Sequence, residues 1–102
     1  MIMKSTGIKY EFTARPWQYN GTASWYFVSL PGELAAEIRQ MLKSEEEGWG
    51  RLKAKAKTGN SEWKTAIWFE TKMNTYLLPL KAEIRKNENL TIEQDIEVVL
   101  WL

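Results

Sequence analysis

Hydrophobic and polar residues alternate from Lys9 to Arg15, with Tyr10, Phe12 and Ala14 on one side and Lys9, Glu11, Thr13 and Arg15 on the other. A period of two predicts a strand with one buried face. Pro16 and the Asn20-Gly21 pair then predict a turn or loop, which is where Trp17 falls. Ser24 to Leu30 runs apolar almost without a break, the pattern of a short strand covered on both faces. Leu30-Pro31-Gly32-Glu33 opens a helix, with proline in a first turn where its missing N–H would bond nothing. Leu34, Ile38, Met41 and Leu42 recur at helical spacing, and Glu33, Glu37, Arg39 and Lys43 take the other face. Glu45-Glu46-Glu47 and Gly48-Trp49-Gly50 end the helix in a loop, its acidic triplet expected to meet solvent.

Arg51 to Thr58 alternates again, with basic residues at odd positions and Leu52, Ala54 and Ala56 at even ones. Gly59-Asn60 predicts a two-residue turn of type II′, because glycine takes the first central position. Ser61 to Phe69 returns as the second strand of the hairpin. That turn sets a register in which Leu52 faces Ile67, Ala54 faces Thr65 and Ala56 faces Trp63 on the core side. On the outer side Lys57 meets Glu62, Lys55 meets Lys64, Lys53 meets Ala66 and Arg51 meets Trp68. Thr75 to Pro79 predicts a further strand, and Lys81 to Glu88 a short helix with Leu80 and Ile84 inward. Asp95 to Trp101 is the last strand. Strand, proline, helix, linker and strand thus occur in order twice, with Leu30-Pro31 matching Leu78-Pro79 and Ile38-Arg39 matching Ile84-Arg85. The whole predicts a mainly β chain, two helices capping a small closed or nearly closed barrel.

A chain of 102 residues is one domain's worth. We assign residues 1–7 to a flexible N-terminus and 8–102 to a single β-barrel domain. Neither cysteine nor histidine occurs, so disulfides, Cys/His zinc sites, thiol nucleophiles and imidazole bases drop out together. Lys plus Arg is 14 and Asp plus Glu 13, and a net charge of +1 carries no general affinity for polyanions or membranes. No apolar run approaches the roughly 20 residues of a spanning helix, and cytoplasm is the default location.

Several segments carry a resemblance. Tyr10-Glu-Phe-Thr-Ala14, the run into Ser29-Leu30-Pro31, Trp63-Lys-Thr and Tyr76-Leu-Leu-Pro79 together resemble the bacterial and archaeal domain of unknown function 1905 family. The likeness extends from about Ile8 to the end of the chain. The tail from Leu78-Pro79 through Ile84-Arg85 to Asp95-Ile-Glu-Val98 also looks like the half-barrel unit of AbrB/MazE-like regulators and antitoxins. Where that unit has Gly-Asp before its last strand, this chain has Gln94-Asp95. The resemblance implies a double-split β-barrel of two fused strand-Pro-helix-strand units. A fused pair supplies both halves, so it also implies a monomer. It implies no established activity.

No catalytic residue stands out. Twelve Glu and one Asp occur, but none is marked as a buried, shifted member of an acid/base pair. No nucleophile elbow, phosphate-cradling glycine loop or metal-ligand spacing appears, and no metal or cofactor is expected. The chain therefore reads as a non-catalytic binding module for a small ligand or protein partner, with an enzyme of unknown class the third reading. Arg39 and Arg85 are candidate anion contacts. Trp49, between two glycines, and Trp17 are candidates to anchor a partner or line a pocket. The alternative is an AbrB-like nucleic-acid-binding regulator using the ribbon of Arg51, Lys53, Lys55, Lys57 and Lys64, with Trp68 at its end to stack on a base. Nucleic acid is the less favoured partner, because the chain as a whole lacks a basic surplus.

Overall fold

A computed structural model describes residues 7–19 and 25–102, Trp49 by its backbone only. Its strands are β1 (Lys9–Ala14), β2 (Trp17–Gln18), β3 (Tyr26–Ser29), β4 (Arg51–Thr58), β5 (Ser61–Glu70), β6 (Thr75–Pro79) and β7 (Ile96–Trp101). Two helices, α1 (Gly32–Leu42) and α2 (Ala82–Glu88), each follow a strand. The flexible terminus expected over residues 1–7 lies, but for Gly7, outside the described residues, as does the Asn20-Gly21 turn.

The strands form one antiparallel sheet of seven, in the order β1-β7-β4-β5-β6-β3-β2. β1 and β2 stand at opposite edges of that order, yet only Arg15 and Pro16 separate them in the chain. Ala14 and Trp17 are three peptide steps apart, so their Cα atoms lie within about 11 Å. The sheet must therefore curl until its two edges approach each other, which makes it barrel-like.

The central hairpin has the register that its turn predicts, from Arg51 opposite Trp68 to Thr58 opposite Ser61. Gly59 has φ +57 while Asn60 stays at negative φ, as a type II′ turn requires. The alternation of β1 holds as well: Tyr10 and Phe12 are buried, and Lys9, Glu11 and Thr13 are exposed. On the concave side Ile38, Ile67, Leu78, Leu100 and Val28 are fully buried in one core cluster. Each such side chain stabilises the fold by about 1.5–3 kcal/mol.

α1 differs in detail from its sequence pattern. Ala35, Ile38 and Leu42 face the core, whereas Met41 is 55% exposed and Leu34 half-buried. Met41 follows Ile38 by three positions but lies next to Leu42, a turn of about 100° off the stripe. Pro31 sits at the N-cap, outside the first turn. α2 ends where Asn89 takes a left-handed conformation, with Leu90 N–H bonded back to Arg85 O at 2.9 Å.

Candidate functional site

β3 is apolar on both faces because both are covered, and the outer cover is aromatic. Val28 and Leu30 point into the core, which leaves Phe27 and Ser29 on the outer face. Phe27 pairs with Trp17 on one side and with Pro79 on the other, and Ser29 pairs with Leu77, which pairs with Trp68. Rings gather around Phe27. Trp17 lies 5.3 Å away with a tilt of 37°, Trp25 5.9 Å away at 44°, and Trp68 meets it edge-on at 6.4 Å. Trp17 Nε1–H donates to Ser29 Oγ at 3.0 Å, which holds that indole in place.

The result is an open groove of about 960 Å³ lined by Trp17, Trp25, Phe27, Trp68, Leu77 and Met73. Trp25, Tyr19 and Met73 line it while 51%, 53% and 47% exposed. At the rim Glu70 accepts from the Lys72 backbone N–H at 3.0 Å. Trp17 is therefore a strand residue in a groove wall. Its predicted loop is interrupted because β2 resumes directly after Pro16, which as a strand-end residue loses no ladder bond. Trp25, Phe27, Leu77 and Met73 escaped the sequence reading. Trp25, Phe27 and Ser29 alternate with Tyr26, Val28 and Leu30, but all six except Ser29 are apolar or aromatic, so neither face stands out.

The basic ribbon forms on the outer face of β4 and β5 and is partly neutralised. Arg51 Nη1 bonds Glu47 Oε1 at 2.7 Å, and Lys53 lies 3.8 Å from the other oxygen of that carboxylate. Lys55 lies 3.7 Å from Glu62, although Glu62 pairs in register with Lys57, and 4.8 Å from the Trp101 ring centroid. Lys64 stands opposite Lys55 as expected.

The two arginines are packed against rings, at separate places. The Arg39 guanidinium covers Phe69 at 3.7 Å and lies 3.8 Å from Glu46 Oε2. Arg85 covers Tyr26 at 3.9 Å and donates from Nε to Leu80 O at 3.2 Å. Glu46 is not the solvated loop residue expected: its side chain is 9% exposed and accepts a short hydrogen bond from the Tyr76 hydroxyl. Burial, and then the bond to Glu46, push the Tyr76 phenol far above its ordinary range, so it stays protonated. This cluster seals the core beneath α1. The Trp49 backbone lies in a one-turn 3-10 segment between Glu47 and Arg51, and its side chain is outside what is described. Among the described residues no three acidic side chains gather as a metal site, and no helix is long and apolar enough to cross a membrane.

A curled antiparallel sheet with two helices packed into its core, and an aromatic groove on its outer face, defines a β-barrel-like module. The chain belongs to the DUF1905 family, a domain of unknown function whose model matches residues 12–100. No curated protein matches it.

Proposed function

We propose that this chain is a non-catalytic binding module and that the outer aromatic groove is its ligand site, occupied by a small organic molecule. The observation that carries this is the ring cluster itself: Trp17, Trp25 and Trp68 surround Phe27 in an open groove of about 960 Å³, within the size of small-molecule sites. Duplex nucleic acid is the weaker reading, because Arg51, Lys53 and Lys55 already have carboxylate partners in Glu47 and Glu62. The test is ligand-observed NMR with a fragment set of planar rings. Fragments should bind the native chain and lose most of their signal with Trp25→Ala, a change at an exposed side chain. Binding unaltered by Trp25→Ala would contradict the proposal.

The architecture we propose is two fused units on one chain, a monomeric double-split barrel related to AbrB/MazE-like proteins. Support comes from paired backbone bonds. Leu30 N–H donates to Tyr76 O at 3.0 Å and Leu80 N–H to Tyr26 O at 2.9 Å; Ala35 N–H donates to Pro31 O and Arg85 N–H to Lys81 O. In this reading Leu30 corresponds to Leu80 and Pro31 to Lys81, two residues beyond the Leu-Pro match in the sequence. Arg39 and Arg85 are then not equivalent. Sedimentation showing only dimer at the lowest measurable concentration would contradict the monomer.

A further inference from the structure

The aromatic groove does not end at Trp68. The same indole forms one wall of a second, smaller depression of about 460 Å³ whose other walls are Arg51, Lys53 and Lys64. Trp68 and Arg51 are direct cross-strand partners, and Lys53 and Lys64 flank Ala66 on the same outer face. Ala66 makes the notch: with only a methyl group on a buried position, it leaves a gap between the indole and the Lys64 ammonium.

The charge of the notch is unbalanced. Arg51 and Lys53 share the single carboxylate of Glu47. Lys64 has no ion pair among the described residues, and its opposite neighbour Lys55 is another cation. Like charges directly opposed across two strands are unfavourable, and an anion lying beside them relieves this. An aromatic wall and a cationic notch therefore meet at one indole.

Building on the groove as the ligand site, we infer that its ligand is a planar aromatic molecule carrying a phosphate-like anionic group, the chemistry of a mononucleotide. The ring lies against Trp68 and Trp25, where stacking tolerates any planar base because every base has a π-face. The anion sits over Ala66 within reach of Lys64, Arg51 and Lys53. Such chemistry occurs both in free nucleotides and in single strands. We assign the free small molecule, because the splayed rings around Phe27 form one pocket and the ribbon beyond Lys64 is tied to Glu62 through Lys55.

The experiment is a two-dimensional NMR titration of the full chain with adenosine, adenosine 5′-monophosphate, inorganic phosphate and a short oligodeoxyadenylate. At low salt the monophosphate should bind about fivefold to tenfold tighter than adenosine, as two or three exposed ion pairs allow. That advantage should shrink to about twofold or less at high salt, where exposed charges are screened. Lys64→Ala, at an exposed strand position, should remove most of the advantage while leaving adenosine binding unchanged. Equal affinity for adenosine and its monophosphate would overturn the notch while leaving the groove intact. Inorganic phosphate as effective as the monophosphate, or no response to either adenosine compound, would overturn the two-part site. The fragment test of the groove is independent of all these outcomes. An oligonucleotide bound more than about tenfold tighter per nucleotide would overturn the small-molecule assignment in favour of a strand.

Discussion

Replacing Gly59 by alanine attacks the turn that sets the central register, and its cost can be worked from the structure. Gly59 has φ +57, a conformation that costs an L-residue with a Cβ about 1–2 kcal/mol. The new Cβ would also run into the Glu88 carboxylate, lying 2.7 Å from its Cδ. Glu88 accepts from Ser61 Oγ at 2.6 Å and from Asn60 N–H at 3.3 Å, so it ties the last residue of α2 to the hairpin turn. Moving it aside gives up bonds worth about 0.5–1.5 kcal/mol each, the lower figure applying at this half-exposed site. Gly59→Ala should therefore cost about 2–3 kcal/mol in urea unfolding, with the slope against denaturant unchanged. In a Glu88→Ala background only the backbone strain remains, and the same substitution should cost about 1–2 kcal/mol. A cost below about 0.5 kcal/mol, or the same cost in both backgrounds, would refute the reasoning.

Three further outcomes follow from buried or paired groups. Tyr10 buries a hydroxyl with no hydrogen-bond partner among the described residues, so Tyr10→Phe should be neutral or stabilising by up to about 1 kcal/mol in urea melts. A loss of more than about 1 kcal/mol would show that the hydroxyl is bonded after all. Burial raises the phenols of Tyr76, also through its bond to Glu46, and of Tyr10, also through the charge of Glu37. A raised group stabilises the fold fully below its unfolded value near 10 and progressively less as pH climbs toward its folded value. Stability should thus fall above about pH 10, by up to ~1.4 kcal/mol per pH unit for each phenol, and less steeply in Tyr76→Phe; urea melts from neutral to alkaline pH that stay flat would contradict this. Lys55→Ala removes a 3.7 Å pair with Glu62 and a ring contact with Trp101 but relieves Lys64, so thermal unfolding should register a change within about 0.5 kcal/mol.

Local signals carried much of the fold. Gly59 at the first central position of a two-residue turn, flanked by clean alternation, determined all the pairings of β4 with β5. Ile84 was legible as the inner side of α2, with Leu80 buried just ahead of its N-cap, because so short a helix offers one apolar stripe. Contacts distant in sequence were not legible. Glu46 looked like one of three solvated acids, and the Tyr76 hydroxyl, thirty positions away, gives it a buried role. Glu47 stands only four and six positions before Arg51 and Lys53, yet its place in an acidic triplet hid that it neutralises both from the loop before β4. The groove stayed hidden because Trp17, Trp25, Trp68 and Met73 come from four separate segments, brought together by the neighbouring order β5-β6-β3-β2 in the sheet. Trp17 and Trp68 were singled out singly, one for a loop and one for the ribbon, and nothing in the linear pattern joins them.

The most direct test of the binding-module account is a two-dimensional nitrogen–proton spectrum of the labelled chain, recorded while a planar aromatic ligand is added. The chain has six indole signals. Those of Trp17, Trp25 and Trp68 should move together and saturate at one affinity, while the buried Trp63 and the distant Trp101 stay in place. Movement of Trp63 or Trp101 with the three groove indoles unchanged would contradict the account.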